Sequence, residues 1–250
     1  MKYSAKHTLS ALLILLSAPG ASAQTVDEIV EKSIAALGGR AAHAKLKSRS
    51  SSGSITLSTP VGEVPGTIEI LQASPNKART VIKADLTSLG AGPFVLDQRF
   101  DGKSGYVMDS LQGNRDMTGN QLDNLRNNSF PQPLLNYKDL GTSAKLGEKE
   151  KVGDRDAFVI NFEPVSGSPT RLYIDAETYL PIRSVITADV PQLGRQIEQT
   201  TDFLDYREVD GIKIAFQLKA ASAVQNFTVK VNSVEHNIAV DEALFAKPAK

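Results

Sequence analysis

Ile212-Lys213-Ile214-Ala215-Phe216-Gln217-Leu218-Lys219 decides how the rest of the chain is read. Ile212, Ile214, Phe216 and Leu218 fall on one side of an extended chain, while Lys213, Ala215, Gln217 and Lys219 fall on the other, so the segment is a strand with one apolar face and one wet face. The same alternation recurs on both sides of it. Phe158, Ile160 and Phe162 alternate with Val159, Asn161 and Glu163, and Phe227, Val229 and Val231 alternate with Thr228, Lys230 and Asn232. Because side chains alternate with a period of two, each pattern specifies which face is buried.

Upstream, short β-rich runs begin near Ser48 and are punctuated about every ten residues, the texture of an antiparallel sheet. Asp101-Gly102, Gly113-Asn114, Gly153-Asp154 and Asp210-Gly211 are dipeptides that tolerate the positive φ of tight hairpins. About eleven candidate strands result, more than a flat sheet holds comfortably, so the sheet is expected to curl. The fold class is therefore mainly β with short helices (α+β): a single curled antiparallel sheet forming a half-open β-barrel, its concave face covered by helices.

Helical signals are few. Thr25-Val26-Asp27-Glu28 reads as a capping box, and Val26, Ile29, Val30, Ile34 and Leu37 form one apolar stripe that Gly38-Gly39 terminates. A second helical piece is expected over Ala41 to Leu46. The strand rhythm breaks from Thr118 to Leu140, where Leu122, Leu125, Leu134 and Leu135 sit among Asn, Gln and Pro; this helical or irregular insert is expected to cover a sheet face, with Thr118 as a cap. Asp241 to Phe245 predicts one last helical turn.

The N-terminus reads as a secretory leader. Lys2 and Lys6 precede an apolar run from Leu9 to Leu16 that is too short to span a bilayer, which takes roughly 20 residues. Ala21-Ser22-Ala23 matches a signal-peptidase site, giving a removed leader over 1–23 and a single domain over 24–250. Export predicts a periplasmic, soluble protein. With 28 basic and 28 acidic residues in the whole chain, loss of Lys2 and Lys6 leaves a net charge of about minus two, too little to steer the protein to nucleic acid. There is no Cys, so the fold has no disulfide and no attached lipid at a leader cysteine; burial must hold it together.

Reactive constellations are not evident. After the leader only His43 and His236 remain as imidazoles, and with no Cys no metal-ligand spacing arises; each is expected to be a solvated or hydrogen-bonded ring. Ser52-Gly53 and Ser166-Gly167-Ser168 are turns rather than nucleophile elbows, and Gly38-Gly39-Arg40 lacks the ending of a phosphate loop. Asp202 and Asp205, or Asp154 and Asp156, are expected to face water, although a hydrolase using scattered carboxylates stays open. The reading is a non-enzyme with neither cofactor nor metal, binding an apolar ligand on its inner sheet face. Ile55, Leu57, Ile68, Ile70, Ile212, Ile214, Phe216, Leu218, Phe227 and Val229 are the candidate lining residues. Patterning alone leaves open whether that face is a cavity or a filled core.

Several segments carry a resemblance to a known family: Ala36-Leu37-Gly38-Gly39, Arg99-Phe100-Asp101-Gly102-Lys103, Asp175-Ala176-Glu177-Thr178 with Leu180-Pro181-Ile182-Arg183, Asp205-Tyr206-Arg207-Glu208-Val209-Asp210-Gly211, and Asp241-Glu242-Ala243-Leu244-Phe245. In order and spacing the chain resembles the LolA/LolB-like superfamily, in particular outer-membrane lipoprotein-sorting proteins. The resemblance implies a carrier of lipid or lipoprotein acyl chains, with an inner-membrane ABC exporter and an outer-membrane acceptor as partners. Where the soluble carrier of that family has an Arg before Pro-Asn, this chain has Ser74-Pro75-Asn76, which leaves room for another hydrophobic ligand. The superfamily also includes envelope-stress regulators, so a sensor or interaction module is the alternative.

Overall fold

A computed structural model describes residues 24–60, 62–190 and 195–248; the leader expected over 1–23 lies outside them. Helix α1 (Val26–Ala36) begins with the full capping box, Thr25 accepting from the Glu28 amide and Glu28 reaching back to the Thr25 amide. Its apolar stripe is buried: Ile29, Val30, Ile34 and Leu37 are each at most 2 % exposed, which contributes about 1.5–3 kcal/mol per side chain. The stripe packs on Phe158, Ile160, Phe162 and Ile174. Gly38 ends α1 at φ +119°, and a Cβ there would sit 2.3 Å from the Gly211 carbonyl oxygen. Only glycine satisfies both the backbone and the approach. A short helix α2 (Arg40–His43) follows, one residue earlier and shorter than the sequence suggests.

The strands are β1 (Ser48–Thr59), β2 (Gly62–Ala73), β3 (Lys77–Asp85), β4 (Pro93–Phe100), β5 (Gly105–Asp109), β6 (Arg115–Met117), β7 (Ser143–Leu146), β8 (Glu150–Val152), β9 (Arg155–Glu163), β10 (Thr170–Asp175), β11 (Pro181–Val190), β12 (Arg195–Val209), β13 (Ile212–Ser222) and β14 (Asn226–His236). They form one antiparallel sheet ordered β6-β5-β4-β3-β2-β1-β14-β13-β12-β11-β10-β9-β7, with β8 also pairing β9. The sheet is open, because its terminal strands β6 and β7 do not pair with each other.

Fourteen strands replace the expected eleven or so. The extra ones include β6 and β8, three residues each, which are too short to show an alternation. All four predicted dipeptides occupy turns between consecutive strands, and Asp210 and Gly211 carry positive φ at 51° and 77°. Between β6 and β7 lie helix α3 (Gly119–Asn127) and a 3₁₀ turn at Pro133–Leu135. Thr118 is extended at the start of α3 but makes no side-chain cap bond.

The expectation that this insert covers the sheet holds for its second half only. Phe130 and Leu134 are buried, whereas α3 buries none of its residues. Leu122 and Leu125 are half-buried, and α3 is held by polar bonds. Asn124 and Asn127 bind the β9–β10 loop at Ser168 and Ser166, while Arg126 binds the Lys103 carbonyl and accepts, through its own carbonyl, from Asn76. The helix thus fastens the β2–β5 side of the sheet to the β9–β10 side.

The C-terminal segment closes the outer face beside β3 to β6. Asp241 caps its 3₁₀ turn through the Ala243 amide, Phe245 is 1 % exposed, Lys77 pairs with Glu242, and Arg99 donates to the Ala246 carbonyl at 3.3 Å. Beneath it Asp97 accepts from both Arg79 and Arg99. The two guanidinium groups outweigh burial and hold the Asp97 carboxyl below its ordinary range.

Candidate functional site

Register shows which side chains share the inner face. Ile55 of β1 lies opposite Gly66 of β2 and Val229 of β14, Val229 lies opposite Leu218 of β13, and Leu218 lies opposite Phe203 of β12. One rung away, Leu57 faces Val64 and Phe227; on the other side Gly53 faces Ile68 and Val231, with Ile82 beyond Ile68. Strand β1 slips by one residue against β14 between Ser52 and Gly53. A Cβ at Gly53 would lie 2.3 Å from the Lys230 carbonyl oxygen, so glycine is what permits this close bulge.

The rungs produce one apolar cluster built from strand residues alone. Ile55, Ile68 and Val229 are buried, and Leu57, Ile70, Ile82, Leu218, Phe227 and Val231 pack against them while half-buried. Helix α1 is packed instead on β9 and β10. Coverage of the inner face by helices is therefore partial among the described residues: it reaches the flanks and leaves the middle to strand side chains.

Seven of the ten expected lining residues meet in this cluster: Ile55, Leu57, Ile68, Ile70, Leu218, Phe227 and Val229. The other three do not join it. Ile212, with Ile214 beside it, packs on Leu46 and on Phe130 of the insert. Phe216 is buried under the Arg207 guanidinium, 4.6 Å from its ring centre. Sequence reasoning missed Ile82, which sits in a strand where apolar residues are too sparse to stand out.

At the Ile212 end the inner face turns polar. Arg49 of β1 pairs in register with Gln72 of β2 and His236 of β14. His43 of α2 is 2 % exposed, and neither ring nitrogen has a hydrogen-bond partner. The expected solvated or bonded imidazole is thus corrected to a buried, unpartnered ring. Burial, then the positive charge of Arg49, push its pKa below the ordinary value; the Leu37 carbonyl acts the other way, without reaching hydrogen-bond geometry. The His236 side chain is buried as well, with Nδ1 3.0 Å from Asp210 Oδ2 and Nε2 unpartnered.

A second concavity, of about 420 Å³, lies between α1 and the 133–139 segment. Four of its five lining charges are paired, Asp27 with Lys138 and Glu31 with Arg40, and Asp139 is the fifth. Among the described residues no group of three or more His, Asp or Glu is placed to hold a metal ion, and no helix is long and apolar enough to cross a membrane.

An open, mostly antiparallel sheet with an apolar inner face and an N-terminal helix packed on it defines the LolA-like fold. Solved structures share it along nearly their whole length. A LolA superfamily protein from Nitrosomonas europaea superposes with a TM-score of 0.58 at 13% identity, covering 90% of this chain and 99% of the other. A DUF1329 family protein from Desulfovibrio piger gives 0.57 at 10% identity, covering 88% and 97%. A domain assigned to outer membrane lipoprotein sorting from Vibrio parahaemolyticus gives 0.54 at 12% identity, covering 86% and 95%. No family model matches the sequence, and no curated protein matches it.

Proposed function

We propose that this chain is a non-enzymatic carrier that shelters the hydrocarbon of a lipid or of an acylated lipoprotein on its inner sheet face, working in the periplasm after removal of residues 1–23. The observation that carries the reading is the central cluster around Ile55, Ile68 and Val229, where six of the surrounding apolar side chains stay half-buried on the inner side of an open sheet. Apolar surface left so in a folded protein favours a guest of the same character. The fold shared with a lipoprotein-sorting domain supports it.

The mechanism is reversible burial. Each methylene taken from water contributes about 0.8 kcal/mol, so one acyl chain is held firmly without a polar contact. Entry and release require something to move, and α3 is the one of the three α-helices that buries none of its residues, which makes it the helix most readily displaced. A donor in the inner membrane, such as an ABC exporter, and an acceptor at the outer membrane complete the route.

Lipid extraction of protein purified from its exporting host, followed by mass spectrometry, tests the reading. Stoichiometric co-purified lipid is expected. Repeated recovery of none, together with no binding of added amphiphile by the delipidated protein, contradicts it.

A further inference from the structure

Arg49 is a deep cation without a counter-ion. Its Nε and Nη2 donate to Gln72 Oε1 at 3.1 and 2.7 Å, and its guanidinium lies 5.5 Å from the Phe130 ring centre. Among the described residues it forms no ion pair, and burial alone pulls its pKa down to about 10. Other arginines of the sheet are matched: Arg79 and Arg99 by Asp97, Arg155 by Asp175, Arg183 by Asp202. Arg49 nevertheless keeps part of its surface accessible.

Three polar nitrogens stand unpartnered around it, both of His43 and Nε2 of His236. Buried donors and charges left unpaired are costly, so an acceptor supplied from outside would be stabilised beside them. Asp210, the acid bonded to His236, is largely exposed and forms no ion pair with Arg49.

Position says what arrives. Arg49 is on the same face of β1 as Ile55 and Leu57, in register with the apolar cluster. The eight residue steps from Arg49 to Leu57 extend about 26 Å at a strand's rise of roughly 3.3 Å per residue. That exceeds the roughly 15 Å that acyl chains of one leaflet span. The inner face is thus polar and cationic at one end and apolar along the remainder.

We propose that the ligand is an anionic amphiphile whose carboxylate or phosphate is held by Arg49, with His43 and His236 beside it, and whose chain lies along the cluster around Ile55. The inference rests on the carrier reading and adds to it the chemistry of the headgroup.

Displacement of a fluorescent probe from the delipidated full-length mature chain tests it with palmitate, hexadecyl phosphate, methyl palmitate and inorganic phosphate, all below the onset of micelles. The two acids are expected to bind at least tenfold more tightly than the neutral ester, and the better acid identifies the headgroup. Arg49→Met should erase the preference for the acids over the ester, and Arg49→Lys should retain part of it. Inorganic phosphate should compete at millimolar concentration only. Equal binding of acids and ester by the unaltered protein overturns the headgroup assignment and leaves the carrier reading standing, whether or not Arg49→Met folds; so does an acid preference that survives Arg49→Met. Failure of palmitate, phosphate ester and methyl ester alike overturns both.

Discussion

The Asn124 amide and Ser168 hold each other from both sides: Asn124 Nδ2 donates to Ser168 Oγ at 3.1 Å while Asn124 Oδ1 accepts from the Ser168 amide at 2.8 Å. This pair ties α3 to the β9–β10 loop, and Asn76 and Lys103 tie the same helix to the opposite side of the sheet. Since α3 buries no residue fully, with Leu122 and Leu125 only half-buried, these bonds are a large part of its attachment. Asn124→Ala removes both bonds at Ser168 and should lower stability by about 1–2 kcal/mol. Because the fastening is local, the dissociation rate of a bound amphiphile should rise several-fold. Urea unfolding and stopped-flow probe release measure the two effects; a stability loss with an unchanged release rate shows that α3 does not gate the inner face.

Gly38→Ala places a methyl group where the Gly211 carbonyl already sits and forces alanine to a φ of +119°. Strain of this kind costs about 1–3 kcal/mol before any shift of the backbone. Since Lys213 donates to the Leu37 carbonyl at 3.0 Å in the same contact, α1 should also loosen from the β12–β13 turn. Hydrogen exchange at the Lys213 amide reports this, and unchanged protection there contradicts it.

His43 makes stability depend on pH. Its folded pKa lies below the ordinary imidazole value of about 6.5 through burial and then Arg49, with His236 adding to the effect. The unfolded chain therefore binds the proton first, so the contribution of the neutral ring is fully present above pH 6.5 and is lost as pH falls from there through the folded pKa. The slope approaches about 1.4 kcal/mol per pH unit within that window. In urea titrations His43→Gln should flatten this part of the profile, and an unaltered slope in the variant refutes the assignment.

Asp97 sits between two guanidinium groups on the outer face at 5 % exposure. Asp97→Asn keeps the shape and removes the charge, leaving Arg79 and Arg99 facing each other in register. A loss of about 2–3 kcal/mol is expected. Calorimetry reads it directly, and the loss should shrink as pH falls below about 3.8, where the unfolded chain takes up the proton before the native carboxyl does, and vanish once pH has passed through the lower folded value.

The sheet and its inner face were legible because period-two alternation at Ile212–Leu218 and Phe227–Val231 states both the strand and the side it buries; at Phe158–Phe162 the alternation marks the strand but not a wet face, since Ala157 and Val159 are buried on the other side with Tyr173 and Ile182. The capping box at Thr25 and the glycine stop at Gly38 made α1 legible in the same local way. Short strands such as β6 and β8 were not, since three residues hold no period. The polar end of the inner face was also hidden. Arg49 stands in a run of serines, and nothing within ten residues of it announces that Gln72, Phe130 and His236 come from three distant segments to surround it. That Ile212 meets Phe130 rather than the central cluster likewise depends on how the insert folds back.

The most direct measurement of the central claim is covalent mapping with a photoactivatable fatty acid, read by peptide mass spectrometry on the full chain. Adducts are predicted on inner-face positions of β1, β2, β13 and β14, at Leu57, Ile70, Leu218 and Phe227, and should disappear with excess palmitate. Labelling spread over the outer face, or none that palmitate competes away, contradicts the account.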